Sequence, residues 1–339
     1  MITTQHLPYL DGWRGLAITF LLIGHFFPFP GIVFGTFGVN LFFVLSGLLM
    51  ARLLFEQNVP IETFYRRRLS RVLPALFALI GLLVLGYLVA GRKVDWLDVA
   101  AAATLTNNYI EGTTGPWRMP LGHIWSLCVE EHSYILLAVI AVIGRRKLGD
   151  VRWLVGAITV VTACFGIYYF LAVPHSALLR LNLHTEVAAF GIFASATLFL
   201  IIRGRRVPNL PGVLFGLLFG FALAMHWWSI PAPVRTIAGV SVLALAVNLL
   251  AVAPGWLHAA LSFAPLRQLG LWSFSLYVWQ QPFYMYFNYY GMSRVLAFAL
   301  AIASGITSFY LIERPCRTWL NKRWAGESAA PAAAASVFV

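Results

Sequence analysis

The stretch LDGWRGLAITFLLIGHF, residues 10–26, decides how this chain is read. It is apolar over most of its length and long enough to enter a bilayer. It nevertheless carries Asp11, Arg14 and His25. Ionisable groups at membrane depth are costly, so they face a protein interior or a water-filled cavity and mark a site. Arg14 and His25 lie eleven residues apart. That is about three helical turns, which places them on nearly one face, roughly 16 Å apart along the axis. Asp11 and Arg14, at i,i+3, can touch. Charge near one end and an imidazole half a membrane away describe a helix that holds a long, polar-headed ligand. The plainer alternative is a packing role, in which a neutral buried imidazole is satisfied by one carbonyl.

Working outward from this helix, the composition agrees with a bilayer. The chain has 339 residues, 60% hydrophobic and 11% charged, with a mean hydropathy of +0.80. That excludes an ordinary soluble domain and indicates an all-α integral membrane protein with many spans. The opening residues, MITTQHLPYL, have no basic n-region and no small-residue cleavage site, so the first helix is expected to stay in the membrane. Cys128, Cys164 and Cys316 lie far apart and form neither a CxxC motif nor a disulfide framework. In a soluble protein a net charge of +12 would suggest nucleic acid. In a membrane protein its source is basic cytoplasmic loops, so no nucleic-acid partner is expected.

Hydropathy predicts ten transmembrane helices, at about 9–27, 36–55, 72–90, 123–143, 153–172, 186–202, 212–229, 234–253, 269–290 and 294–312. A basic loop, Tyr65-Arg66-Arg67-Arg68-Leu69-Ser70-Arg71, precedes the third. Before the fourth lies a long amphipathic segment, 91–122, with Asn107, Asn108, Trp117 and Arg118. With the N-terminus in the cytoplasm, 18 of the 24 Lys and Arg residues fall on the cytoplasmic side and 6 outside, which predicts both termini inside. Residues 1–324 then form one membrane domain. The tail 325–339, AGESAAPAAAASVFV, is of low complexity and expected to be disordered.

The fourth span is a second centre. His123, Ser126, Glu130 and Tyr134 are spaced +3, +4, +4, one face of a helix. A carboxylate there must pair, protonate or line water. Glu130 therefore suits two roles, orienting an imidazole or binding an acceptor hydroxyl. Glu131 points about 100° away and reads as structural. His123 and Glu130 alone do not make a metal site, and no metal is expected. Arg68 and Arg71, at i,i+3, share a face, and guanidinium forks suit phosphates. The same charges equally serve as a topology signal. Ser46-Gly47 offers a close helix approach and a hydroxyl contact. Tyr277 and Trp279 read as interfacial belt or core.

Six segments carry a resemblance: LDGWRGLAITFLLIGHF, VNLFFVLSGLL, FYRRRLSRVLPAL, HIWSLCVEEHSYILL, SFSLYVWQQPF and FYLIERPCR. In that order, from about residue 8 to about residue 320, they resemble the signatures of the acyltransferase-3 family of integral membrane O-acyltransferases. The resemblance implies a ten-helix domain of the bacterial inner (cytoplasmic) membrane. Such a domain moves an acyl group, commonly acetyl from acetyl-CoA, onto hydroxyls of carbohydrates or related glycosylated acceptors. The family's first-helix arginine and histidine match Arg14 and His25, its arginine pair Arg68 and Arg71, and its double glutamate Glu130 and Glu131. There are departures. Asn40 stands where an acidic residue is frequent. His132-Ser133 replaces a common Gln-Phe. Trp279-Gln280-Gln281-Pro282 replaces a frequent Trp-His-Trp-Pro, so no second histidine is assigned there. No SGNH-type hydrolase domain follows, so a stand-alone membrane domain is expected.

The mechanism that follows has acyl-CoA entering from the cytoplasm, its phosphates held by Arg14, Arg68 and Arg71. Asp11, Ser46, His123, Glu131 and Tyr134 support the site. His25 and Glu130 are the catalytic pair, with His25 as general base on the acceptor hydroxyl. A covalent acyl-histidine is an alternative route. Succinyl or another acyl group is the alternative donor chemistry. The rival class is a transporter of a lipid-linked sugar or amphipath, which the lack of an internal repeat disfavours.

Overall fold

The computed structural model describes residues 7–110 and 119–324. Trp117, Arg118 and the expected disordered tail lie outside the described residues. Among the described residues there are helices and no strand; a single antiparallel bridge joins Ile32 to Trp227.

Ten helical rods account for most of the described residues: α1 Pro8–Phe26, α2 Phe34–Glu56, α3 Ile61–Val89, α4 Gly122–Arg145, α5 Val151–Ala172, α6 Thr185–Ile202, α7 Gly212–Met225, α8 Ala232–Val252, α9 Ala264–Tyr290 and α10 Arg294–Trp324. Seven of them, α2 to α6, α8 and α10, are long and apolar enough to cross a membrane. The other three fall short for different reasons. α7 is apolar but has 14 residues. α1 carries Asp11, Arg14 and His25, and α9 carries Arg267, Gln268, Gln280 and Gln281. Asp11, Arg14 and Gln280 are buried, and His25 is held by Gln280, as lipid requires. The faces turned away from the bundle are apolar and exposed, among them Leu82, Leu85 and Leu88 on α3 and Val213 and Leu217 on α7.

Two boundaries differ from the sequence reading. The basic stretch 65–71, expected as a loop, forms the early turns of α3, which starts at Ile61. Arginine is a good helix former, Arg66 pairs with Glu62 one turn earlier, and Arg68 is anchored by carboxylates of α4. The last rod, expected to end near 312, continues through Glu313-Arg314-Pro315 to Trp324. A π-helical turn, Phe309–Glu313, sits just before Pro315, which has no backbone N–H to donate.

α1 is the centre of the bundle and packs most extensively on α9 and α2. Its contacts with α9 run in step, Asp11 and Gly15 against Gly270, then His25 against Gln280, so the two helices are parallel. Between α1, α2, α7 and α8 lies a core containing Trp13, Ala17, Phe37, Leu41 and Leu243. Trp13 also donates from Nε1 to the carbonyl of Leu41 at 3.0 Å, tying α1 to α2. A separate core under α1 and α9 contains Ile18, Leu21, Phe26 and Leu276. Together these place the polar face of α1 against α9, at the edge of an internal cavity.

Candidate active site

The cavity is walled by α1, α2, α3, α4 and α9. Its polar lining is Arg14, Ser46, Arg68, Arg71, Ser126, Glu130, Ser273 and Tyr277; Phe42, Leu45, Leu49, Val72 and Phe274 give it an apolar side. Together with the open space at its mouth, it spans about 760 Å³. An apolar cleft with a few convergent polar groups is the usual form of a small-ligand site.

Arg68 is committed. Its Nε donates to Glu131 Oε1 at 2.6 Å and its Nη2 to Glu130 Oε2 at 2.9 Å. Its guanidinium lies over the ring of Tyr134, 3.8 Å from the centroid. Tyr134 is fully buried beneath it. The Glu130 carboxylate also accepts from Ser46 Oγ at 2.8 Å, the hydroxyl contact expected from Ser46-Gly47. Gly47 in turn lets α2 approach the carbonyl of Ile192 on α6, where a β-carbon would collide. The guanidinium thus gathers both carboxylates. Glu131, read from helix geometry as pointing away, bends to the same cation because an uncompensated buried carboxylate is costly.

The other two arginines differ. Arg14 is buried and donates from Nη1 to Asp11 Oδ1 at 3.1 Å, as the i,i+3 spacing predicted. Arg71 lines the cavity and forms no hydrogen bond or ion pair among the described residues. The contact its guanidinium does make is with the ring of Phe274, 5.7 Å from the centroid. Glu313 and Glu130 lie within its electrostatic reach. Glu313 itself accepts from Ser275 Oγ at 2.6 Å and sits 3.7 Å from Arg317.

Along α9 the cavity lining ends at Tyr277, one helical turn short of Gln280. Tyr277 donates to the carbonyl of His123 and accepts from Ser126 Oγ, 2.7 Å away. Gln280, fully buried, holds the imidazole of His25: Nδ1 donates to its amide oxygen across 2.9 Å. The ring stacks on Tyr284, centroids 4.7 Å apart, and its Cδ2–Nε2 edge lies beside Gly35 of α2. Arg14 and His25 therefore do share one face of α1, the face covered by α9. His123 donates from Nε2 to the carbonyl of Val278 at 3.0 Å, a packing contact between α4 and α9. Among the described residues no group of three or more His, Cys, Asp or Glu side chains converges to hold a metal.

Of the two roles expected for Glu130, orienting the imidazole is taken by Gln280. Sequence reasoning passed over Gln280 and read Tyr277 as interfacial belt or core. The available signal was a pair of adjacent glutamines inside an otherwise aromatic, apolar span. Asn40, noted as a departure, donates from Nδ2 to His226 Nε2 at 2.9 Å and fastens α2 to the end of α7.

The chain is similar to several bacterial proteins. A Staphylococcus aureus protein named "Putative O-acetyltransferase" is 27% identical over 92% of this chain and 58% of its own length. Komagataeibacter xylinus "Putative membrane-bound transacylase BcsY" is 26% identical over 92% of this chain and 83% of its own. Bacillus subtilis "Putative peptidoglycan O-acetyltransferase YrhL" is 25% identical over 93% and 56%. The chain thus spans little more than half the length of the Staphylococcus and Bacillus relatives. No solved structure matches it. The sequence profile described as an acyltransferase domain matches residues 7–314, nearly the whole described bundle. The chain belongs to the acyltransferase-3 family of membrane acyltransferase domains.

Proposed function

We propose that this protein is an acyl-CoA-dependent O-acyltransferase of the bacterial inner membrane, with both termini in the cytoplasm. Its donor is acetyl-CoA, and its acceptor is a hydroxyl of a carbohydrate or glycosylated molecule. The observation that carries the reading is the line of groups along α1 and α9. Cations Arg14 and Arg71 stand in a buried cavity whose α9 wall ends one turn before an imidazole held by its Nδ1. The names borne by the Staphylococcus and Bacillus relatives support O-acetyl transfer, and the Bacillus name supports a peptidoglycan acceptor.

In this reading Arg71, whose fork is not spent on a carboxylate, and Arg14 meet the anionic part of the donor. Arg68 serves differently from the sequence expectation: it fixes Glu130 and Glu131, and Glu130 presents its carboxylate to a hydroxyl in the cavity. The donor arm runs along α1 toward His25. The imidazole takes the proton of the acceptor hydroxyl as its oxygen attacks the thioester carbonyl. A carbon–oxygen bond forms and the carbon–sulfur bond breaks. The departing thiolate then recovers the proton from the imidazolium.

The test is purified His25→Ala in detergent, given acetyl-CoA and monitored for free thiol and acylated acceptor. Loss of turnover in a monodisperse variant, with acetyl-CoA still bound, is the expected result. Near-wild-type turnover would remove His25 from the chemistry. Failure of the wild-type protein to consume any acyl-CoA in the presence of membrane glycans would return the chain to the transporter class.

A further inference from the structure

We propose that Gln280 is the positioning residue of the reaction. Its amide oxygen holds the Nδ1 proton of His25 and so leaves Nε2 as the nitrogen that receives the acceptor's proton. This rests on the reading of His25 as the base, and adds the group that makes one nitrogen of that base the reactive one.

An amide oxygen can only accept, so the 2.9 Å contact requires the proton on Nδ1. The Gln280 amide has a second partner. Its Nε2 donates to Gln281 Oε1 at 3.2 Å, which directs the oxygen of Gln280 toward the imidazole. Gln280 is fully buried, so water does not compete for that oxygen. The ring plane is set by stacking on Tyr284. With Nδ1 occupied, Nε2 carries the lone pair. It faces Gly35, where even a β-carbon would lie 3.4 Å away, so the glycine leaves space beside the reactive nitrogen. A carboxylate would orient the ring equally well, but it would place a further charge in a helix interior at membrane depth. A neutral amide fixes the tautomer without that cost. Gln280 neither gains nor loses a proton during turnover.

Three variants test this, each checked for monodisperse elution in detergent. Gln280→Leu keeps the volume but removes the acceptor. It is expected to lower kcat on the order of a hundredfold, because a base in the wrong tautomer cannot accept the proton. The KM for acetyl-CoA and for acceptor is expected to stay within about twofold, since neither substrate's binding groups are touched. Gln280→Glu keeps the shape and supplies a charged acceptor. A carboxylate stabilises the imidazolium, so the acidic limb of the kcat profile is expected to move about one pH unit higher. The other titratable groups near the ring, Tyr284 on α9 and His123 of α4, are unchanged in this variant. If Gln280→Leu fails to fold, the isosteric glutamate decides alone. His25→Ala runs beside them. An active His25→Ala sinks the base and this proposal together. An inactive His25→Ala with Gln280 variants that keep wild-type kcat and an unmoved acidic limb sinks this proposal only.

Discussion

Replacing Arg68 by alanine separates two readings of the basic cluster. If the guanidinium bound donor phosphate, the variant would be a stable protein with a poor KM. The geometry gives another outcome. Arg68 is the shared counter-charge of Glu130 and Glu131, at 2.9 and 2.6 Å, and all three side chains are at most 17% exposed. Removing one partner of a buried pair typically costs about 3–5 kcal/mol, because the other charge is left uncompensated. Here one deletion strands two carboxylates on adjacent residues, and also uncovers the buried ring of Tyr134. The upper half of that range is the appropriate expectation. For a chain of this size a kcal/mol shifts the melting midpoint by about 1–2 °C, so Arg68→Ala should lower the apparent Tm by roughly 4–10 °C. The assay is tryptophan-fluorescence melting in detergent, without substrate. Arg68→Lys keeps a charge but lacks the fork that spans both carboxylates, so it should lie between wild type and alanine. Combining Arg68→Met with Glu130→Gln and Glu131→Gln removes the stranded charge, and should recover most of the Tm without recovering activity. An Arg68→Ala protein with a wild-type Tm and only a raised KM for acetyl-CoA would refute the clamp.

Arg71→Ala should do what Arg68→Ala does not. It should raise the KM for acetyl-CoA about ten- to a hundredfold, the worth of one charge-assisted contact, with Tm close to wild type; unchanged donor affinity by isothermal titration would assign it a structural role. Gly35→Val adds bulk beside His25 Nε2, where the glycine's own β-carbon position is already at 3.4 Å. It should lower turnover at least tenfold while acetyl-CoA still binds, and full activity would show that the acceptor reaches the imidazole from another side.

What the sequence made legible were the relations inside a single helix. Asp11 and Arg14 pair as their spacing allowed, and Arg14 and His25 share a face across three turns of α1. Apolar runs gave the rods, because burial in lipid leaves a long signature. The partners across helices were another matter. Gln280 lies 255 residues from His25 in the chain, and nothing local in either stretch names the other. Arg68 read as a free fork because its two carboxylates sit 62 and 63 residues away. The stretch 65–71 read as a loop because its charge was weighed as a topology signal. Its helix propensity, and the carboxylates waiting on α4, prevailed. In each case the missing term was the cost of leaving a buried polar group alone, which only tertiary neighbours settle.

That cost also explains why the two ends of α1 act as one unit. A base that must present one nitrogen to a substrate needs its helix held to a fraction of an ångström, since a misplacement of about 1 Å can cost a hundredfold in rate. α1 is held by backbone rather than by flexible side chains. A β-carbon on Gly270 of α9 would collide with the carbonyl of Asp11, and one on Gly15 with the carbonyl of Leu266. On the opposite flank, Gly38 of α2 leaves room for the carbonyl of Ala17 and the backbone of Leu21. Backbone contacts of this kind fix the axial register of α1 against both neighbours, because neither surface has a side chain that can yield. The same register that seats Arg14 in the cavity beside Ser273 and Phe274 therefore sets His25 against Gln280 three turns later. The glycines at the cationic end of α1, roughly 15 Å from the imidazole along the axis, are in this sense part of the geometry of the base.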